Sequence, residues 1–241
     1  MPRFAELRAH WSRAERVLLP PACLLCGDAV PQTEGDALVC APCRRRWPRI
    51  PDPVCCRCGA QAEGREACTF CEAWPAGLDE VRSAVWLDPS ARRAVHALKY
   101  QGWWRVAEAM ALAMRGLAPL RAGVVLVPVP LGSRRLRRRG YNQSERLAAA
   151  LAALTGLAVE SGWLARVRDT RSQTTLTPEE RQANIVGAFA AARGAREQAV
   201  VLVDDVFTTG ATLLDAARAL KAAGAAYVGA VTFARAGELL N

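Results

Sequence analysis

The chain has 241 residues, 51% of them apolar, and carries a formal charge of +9 at pH 7. That length allows one good core of about 150 residues plus a module too small to fold on apolar burial alone. No window approaches the apolar length of a membrane-spanning helix. The opening residues MPRFAELRAHWSRAERVLLP are too charged for the core of a secretory signal peptide, so a soluble, cytoplasmic protein is expected.

Residues 1–19 are expected to form an amphipathic helix with Phe4, Leu7, Trp11 and Leu18 roughly on one side. Such a stripe is the usual core-facing face of a helix, with contact to a membrane surface as the alternative. Residues 20–76 follow with all nine cysteines. Eight of them form four C-x-x-C pairs: Cys23/Cys26, Cys40/Cys43, Cys55/Cys58 and Cys68/Cys71. Two such pairs make one tetrahedral thiolate site, so four pairs imply two zinc ions, both structural because a Cys₄ site is closed. The competing disulfide framework needs an oxidising compartment, against which the N-terminus argues. Sequential pairing of the knuckles is simplest, and spacing leaves a crossed pairing open. Cys56 is a spare thiol, or a substitute ligand if the register shifts by one. Chelation is expected to unfold this third of the chain and to spare the rest.

A boundary falls near Trp74 to Leu78, where the cysteines stop and Pro75 and Gly77 punctuate the chain. The domain at 78–241 opens with the strand-like VRSAVWL. Asp88-Pro89 starts a helix through ARRAVHALKYQG, and a second helix follows Trp104 up to Arg115. A buried strand begins at Val124 and ends in a proline-broken loop at Pro128 to Ser133. Asn142 and Glu145 form a capping box for a helix to Leu154, and Trp163 to Val167 is the next strand. Arg168 to Gln173 is a loop, and Thr177-Pro178-Glu179-Glu180 caps another short helix. Val200 to Val203, short and β-branched, suits a parallel strand buried on both faces. A helix over Ala211 to Ala223 and a last strand over Tyr227 to Phe233 complete the series. Strand and helix alternate, so an α/β fold with a mainly parallel sheet is expected.

The run VVLVDDVFTTGAT, Val200 to Thr212, carries the chemistry. A loop at the carboxyl end of such a strand, opening a helix, is where α/β sheets bind anions. Thr208, Thr209 and Thr212 add hydroxyl donors, and Gly210 lets the backbone close on a phosphate. Asp204 and Asp205 would repel a phosphate, so they suit ribose hydroxyls or a divalent cation. The series resembles the phosphoribosyl pyrophosphate (PRPP) motif of type I phosphoribosyltransferases. Neither G-x-x-x-x-G-K-[ST] nor a strand-linked G-x-G-x-x-G occurs in the chain.

A closer resemblance covers nearly the whole chain. The four knuckles, LKYQG (Leu98 to Gly102), VPVPL (Val127 to Leu131), RRRGYNQSERLA (Arg137 to Ala148), the series Gln173, Leu176, Arg181, Asn184 and Phe189, and the PRPP loop together resemble the ComF family, to which the GntX proteins are similar. The resemblance implies a double zinc ribbon ahead of a type I phosphoribosyltransferase fold, and a link to natural competence, the handling of transforming single-stranded DNA. It implies that Asp204 and Asp205 hold the ribose hydroxyls as the catalytic pair. Thr208, Thr209, Gly210, Ala211 and Thr212 then hold the 5′-phosphate, and the loop segment Val129, Pro130, Leu131 and Gly132 meets the pyrophosphate with its backbone amides. A mobile loop from Arg171 to Asn184 would close over the site, with Gln173 in it and Arg181 adding charge to the leaving group. PRPP would arrive with Mg²⁺, and catalysis would rest on positioning and charge rather than on a His or Cys nucleophile. His10 and His96 are read as helix-surface or packing residues.

Two basic clusters, Arg44, Arg45, Arg46 and Arg49 beside Trp47, and Arg134 to Arg139 beside Tyr141, have the composition of a nucleic-acid track. Against this, Lys99 and Lys221 are the only lysines among 32 basic residues, a skew for which genomic composition is the alternative to selection for phosphate contacts. The second cluster has a local use as well, in holding PRPP. Two functions follow: phosphoribosyl transfer to an unidentified acceptor, or a non-catalytic single-stranded DNA-binding protein that keeps the PRPP pocket as a sensor or relic. Other competence proteins are candidate partners.

Overall fold

The computed structural model describes residues 21–61, 68–168 and 186–237. The expected helix over 1–19, His10, the capped helix after Thr177 and the loop residues Arg171, Gln173, Arg181 and Asn184 lie outside them.

The cysteine-rich part holds two short helices, α1 (Ala41–Arg45) and α2 (Thr69–Glu72). Beyond it the chain runs β1 (Glu80–Trp86), α3 (Pro89–Tyr100), α4 (Val106–Met114), β2 (Val124–Pro128), α5 (Ser133–Arg139), α6 (Gln143–Thr155), β3 (Ala158–Val159), β4 (Leu164–Arg166), β5 (Phe189–Ala191), β6 (Ala199–Phe207), α7 (Ala211–Ala222) and β7 (Tyr227–Arg235). Helix α3 begins as the sequence predicts: Asp88 Oδ1 accepts from the Ala91 amide at 2.7 Å and Pro89 occupies the first turn. At α6 the cap is Asn142, whose Oδ1 accepts from the Ser144 amide at 3.1 Å rather than from Glu145.

Five strands form one parallel sheet in the order β1-β7-β6-β2-β3. Successive residues of β6 serve opposite faces. Val201 and Val203 pack with α3, α4 and α6, whereas Val200 and Leu202 pack with α7. Burial on both sides is why the run reads as uninterrupted β-branched and aliphatic residues rather than alternating ones.

Four details differ from the sequence expectation. The strand of the acid pair continues to Phe207, so Asp204 and Asp205 lie within β6 and not in the loop after it. The expected strand near Trp163 is β4, which pairs antiparallel with β5 outside the main sheet, and the two-residue β3 takes the edge. The five arginines after Gly132 form the helix α5, closed by Gly140 at φ +81°. A left-handed residue is the usual stop for a helix, and glycine takes it without a Cβ penalty.

The cysteine-rich part is seated on the sheet rather than tethered to it. Trp47 is 1% exposed and meets Phe233 of β7 edge-to-face at 4.8 Å. The Trp86 amide donates to Pro48 O, and the Val81 amide to Arg57 O. Cys23, Cys40, Cys43 and Trp47 belong to the same buried cluster as Val85, Met110 and Phe233.

Candidate functional site

Strands β2 and β6 are neighbours, and the chain leaves them for opposite faces of the sheet, toward α6 from one and α7 from the other. A crevice opens at such a switch point, outside the carboxyl ends of the strands. Here it is a cleft of about 660 Å³, within the size range of small-molecule sites. Val129, Pro130 and Leu131 line it from the first loop, Asp204 and Asp205 from the end of β6, and Thr208 to Thr212 from the loop after it and the start of α7. The two segments that the sequence singled out, some seventy residues apart, thus share one cavity. Arg92, Lys99, Arg135, Arg138, Arg139 and Arg166 complete its rim with positive charge. Arg135, Arg138 and Arg139 reach it together because spacings of three and four place them on one face of α5.

The first loop offers fewer donors than expected. The Val129 amide donates to Val203 O at 3.0 Å, extending the β2–β6 ladder, and Pro130 has no N–H. Gly132 is buried and caps α5. Of the four residues, only the amides of Leu131 and Gly132 remain for an anion. In the second loop Gly210 sits at φ +81°, and a Cβ there would lie 3.1 Å from the Phe207 ring and 3.3 Å from Trp74. Only glycine fits both conditions. Ala211 is the first residue of α7, and Thr209 Oγ1 accepts from its amide.

Behind the acids stands a polar network that the sequence reading missed. The Lys99 ammonium pairs with Asp205 Oδ2, an oxygen with no other well-formed partner. Gln143 Nε2 donates to Asp205 Oδ1, and Arg139 donates to Gln143 Oε1. Ser144 Oγ and the Asp205 amide both donate to Asp204 Oδ1, at 2.9 Å each. Asn142 Nδ2 donates to Val129 O, fixing the first loop to the start of α6. Burial, together with the neighbouring charge of Asp205, pushes Asp204 up to about 7. Asp205 is buried too, but the Lys99 charge outweighs that and holds it below the ordinary carboxyl range. The two acids therefore differ: one carries a firm charge beside an ammonium, and the other titrates near neutrality. His96, read as a surface or packing residue, is exposed on α3 at the cleft wall, 5.1 Å from the Tyr100 ring.

The cysteines sort into Cys23, Cys26, Cys40, Cys43 and Cys55, Cys58, Cys68, Cys71, with the sulfurs of each group within 4.8 Å of one another. Pairing is thus sequential, and exposed Cys56 stands outside both groups. Sulfur–sulfur separations of 3.5 to 3.9 Å match the edge of a zinc tetrahedron, about 3.8 Å for 2.3 Å bonds. They are far longer than a disulfide. The donor sets fit two structural zinc ions.

Residues 14–72 match the double zinc ribbon domain, and residues 136–240 the phosphoribosyl transferase domain. The DNA utilization protein YhgH of Salmonella typhimurium is 33% identical over 218 residues, covering 87% of this chain and 95% of that protein. The chain belongs to the ComF/YhgH family. Competence protein ComFC of Bacillus subtilis is 28% identical over 233 residues, covering 88% and 94% of the two chains. Among solved structures, the allosteric regulatory enzyme of purine biosynthesis is similar at 25% identity, with a TM-score of 0.35 over 53% of this chain and 26% of that one. The family's α/β fold and two Cys₄ sites are those described above. Among the described residues no helix is long and apolar enough to cross a membrane.

Proposed function

We propose that this ComF/YhgH family protein binds PRPP in the cleft and transfers its phosphoribosyl group to an acceptor. One observation carries the reading: the acid pair, the Thr-Gly loop and the first loop converge on a single cavity with a basic rim. Asp204 and Asp205 accept from the ribose hydroxyls, their orientation fixed by Ser144, Gln143 and Lys99. Thr208 to Thr212 take the 5′-phosphate at the start of α7. The amides of Leu131 and Gly132, with Arg135 and Arg138, face the pyrophosphate. Mg²⁺ bound with PRPP supplies further neutralisation of that leaving group. An acceptor lone pair forms the new bond to the anomeric carbon as the C–O bond breaks, and the electron pair leaves on pyrophosphate. The chain's own part is to hold the sugar and stabilise charge.

PRPP with Mg²⁺ should raise the melting temperature, as a ligand selective for the native state must. Asp204→Asn combined with Asp205→Asn should abolish that rise while the protein still folds. Equal stabilisation of the double variant would remove the acids from the site. Pyrophosphate release measured across pools of bases and single-stranded DNA then tests transfer itself.

A second reading, a single-stranded DNA-binding role, is favoured by a different observation, which retains the second of the two arginine clusters and drops the first. Trp47 is buried and cannot stack on a base. Arg44 is committed to Val39 O and Glu34. Instead Tyr100, Trp103 and Trp104 are 57%, 45% and 43% exposed around the end of α3. Arg139 lies over the Tyr100 ring and Arg146 over that of Trp104. A cavity of about 400 Å³ between Lys99, Tyr100, Arg138 and Tyr141 shares Lys99, Tyr100, Arg138 and Arg139 with the lining of the cleft. Exposed rings interleaved with arginines suit a single strand. Affinity for oligonucleotides should fall with salt at a log–log slope of about −0.7 per phosphate contacted. Arg138→Gln with Arg146→Gln should flatten the slope, and Arg45→Gln with Arg46→Gln should leave it intact. The reverse pattern would return the track to the zinc ribbon.

A further inference from the structure

The phosphate loop and the second cysteine group are held by one set of rings. Phe207, the last residue of β6, lies 6.3 Å from Phe70 and 5.9 Å from Trp74, centroid to centroid. Phe70 sits between Cys68 and Cys71, and the Trp74 amide donates to Cys71 O at 3.1 Å. Phe207 and Trp74 are also the two rings that a Cβ at Gly210, where α7 begins, would crowd at 3.1 and 3.3 Å. Opposite Phe207 in register is Arg235 of β7, a buried cation. Its guanidinium lies 4.5 Å from the Phe207 centroid and 5.3 Å from that of Phe70. It donates to Cys58 O at 2.8 Å and comes within 4.0 Å of Cys58 Sγ.

Four thiolates around a divalent zinc leave a net negative centre, and Arg235 is the positive charge set against it. The same guanidinium stacks on the ring that bears on the phosphate loop. The first cysteine group is built into the opposite side of the sheet, in the cluster of Trp47 and Phe233. Trp74, by contrast, packs both with the second group and with the α7 side of the core.

We propose that the second zinc site is part of the 5′-phosphate subsite, so that zinc held by Cys55, Cys58, Cys68 and Cys71 and a sugar phosphate held by Thr208 to Thr212 strengthen each other's binding, with Arg235 as the positioning residue between them. The inference rests on the PRPP reading of the loop. Coupling between two sites is reciprocal, which gives it a test on the metal alone. Zinc leaving the intact two-zinc protein is followed with a colorimetric chelator, with and without PRPP–Mg²⁺, and again with ribose 5-phosphate without Mg²⁺.

The expected result is that either ligand slows the loss of one zinc equivalent by about fivefold or more and leaves the other unchanged. Arg235→Gln should erase that selectivity and weaken PRPP binding by a similar factor, and Arg235→Lys should restore part of both. Equal slowing of both equivalents is general stabilisation and overturns the coupling, as does binding of PRPP with no effect on either rate. Should Arg235→Gln fail to fold, the wild-type comparison decides alone. Wild-type protein that binds neither ligand overturns the functional reading itself, and this inference with it.

Discussion

Lys99→Met should cost the folded protein about 3–5 kcal/mol, because it leaves the buried Asp205 carboxylate without its counter-charge. Partial exposure of the lysine side chain puts the expectation at the low end. The double variant Lys99→Met, Asp205→Asn removes both charges and should recover much of the loss, a coupling that a double-mutant cycle in urea measures directly. The pH dependence has a definite sign. Asp205 has its pKa depressed, so the stability it adds is present above the ordinary carboxyl range and lost as pH falls through its lowered value. Asp204, raised to about 7 from an ordinary value near 4, acts the other way: the stability it adds is complete below about pH 4 and is lost as pH rises through 7. Lys99 lowers Asp204 as well as Asp205, so without it burial raises both carboxyls, and their ionisation opposes folding increasingly as pH rises. The variant should therefore fall further behind wild type at pH 8 than at pH 5. A loss below about 1 kcal/mol at pH 8, the range of exposed pairs, would mean that the pair is solvated and does not organise the site.

The same residues show what a sequence discloses. The acid pair and the Thr-Gly loop were legible because strand, acids, turn and helix follow one another, so their chemistry is written in consecutive letters. The knuckles were legible because two sulfurs on one tight turn need a fixed spacing. Lys99 was not, although it stands in LKYQG. A lysine on an exposed-looking helix turn reads as solvated until the fold brings it to a carboxylate more than a hundred residues away. Asn142, Gln143 and Ser144 looked like an ordinary helix start, and one of them is an ordinary cap. Their burial was the missing signal, and burial depends on what covers them. Trp47 failed in the opposite sense. Its arginine neighbours suggested a stacking surface, but the ring is the plug between the first zinc ribbon and β7. The helix at Ser133 was hidden by its composition, since five like charges in seven residues repel in isolation and are tolerated here with three of them on the cleft and Gly140 ending the turn.

Removing both zinc ions should unfold the α/β domain along with the cysteine-rich third, not that third alone. The sequence led to the milder expectation because the knuckles and the α/β domain are separated by a clear compositional boundary. In the structure that boundary is not a gap. The first ribbon covers Phe233 and Val85 with Trp47, and Arg49 Nη1 donates to Ala113 O at the end of α4. The second ribbon is tied by Arg57, which donates to Leu78 O, by the Val81 amide to Arg57 O, and by Arg235, which donates to Cys58 O. Structural zinc contributes roughly 10–16 kcal/mol to the folding of isolated finger peptides. A domain has only about 5–15 kcal/mol of net stability in all. Without metal the thiolates repel, the ribbons open, and one face of the sheet loses the side chains that keep it dry. Circular dichroism in the far and near ultraviolet, followed as a strong chelator is added, should show coincident loss of secondary and tertiary signal, with no protease-resistant fragment near 78–241. A stable fragment of that size would mean that the α/β core closes over Phe233 without Trp47, and that the ribbons are appended rather than built in.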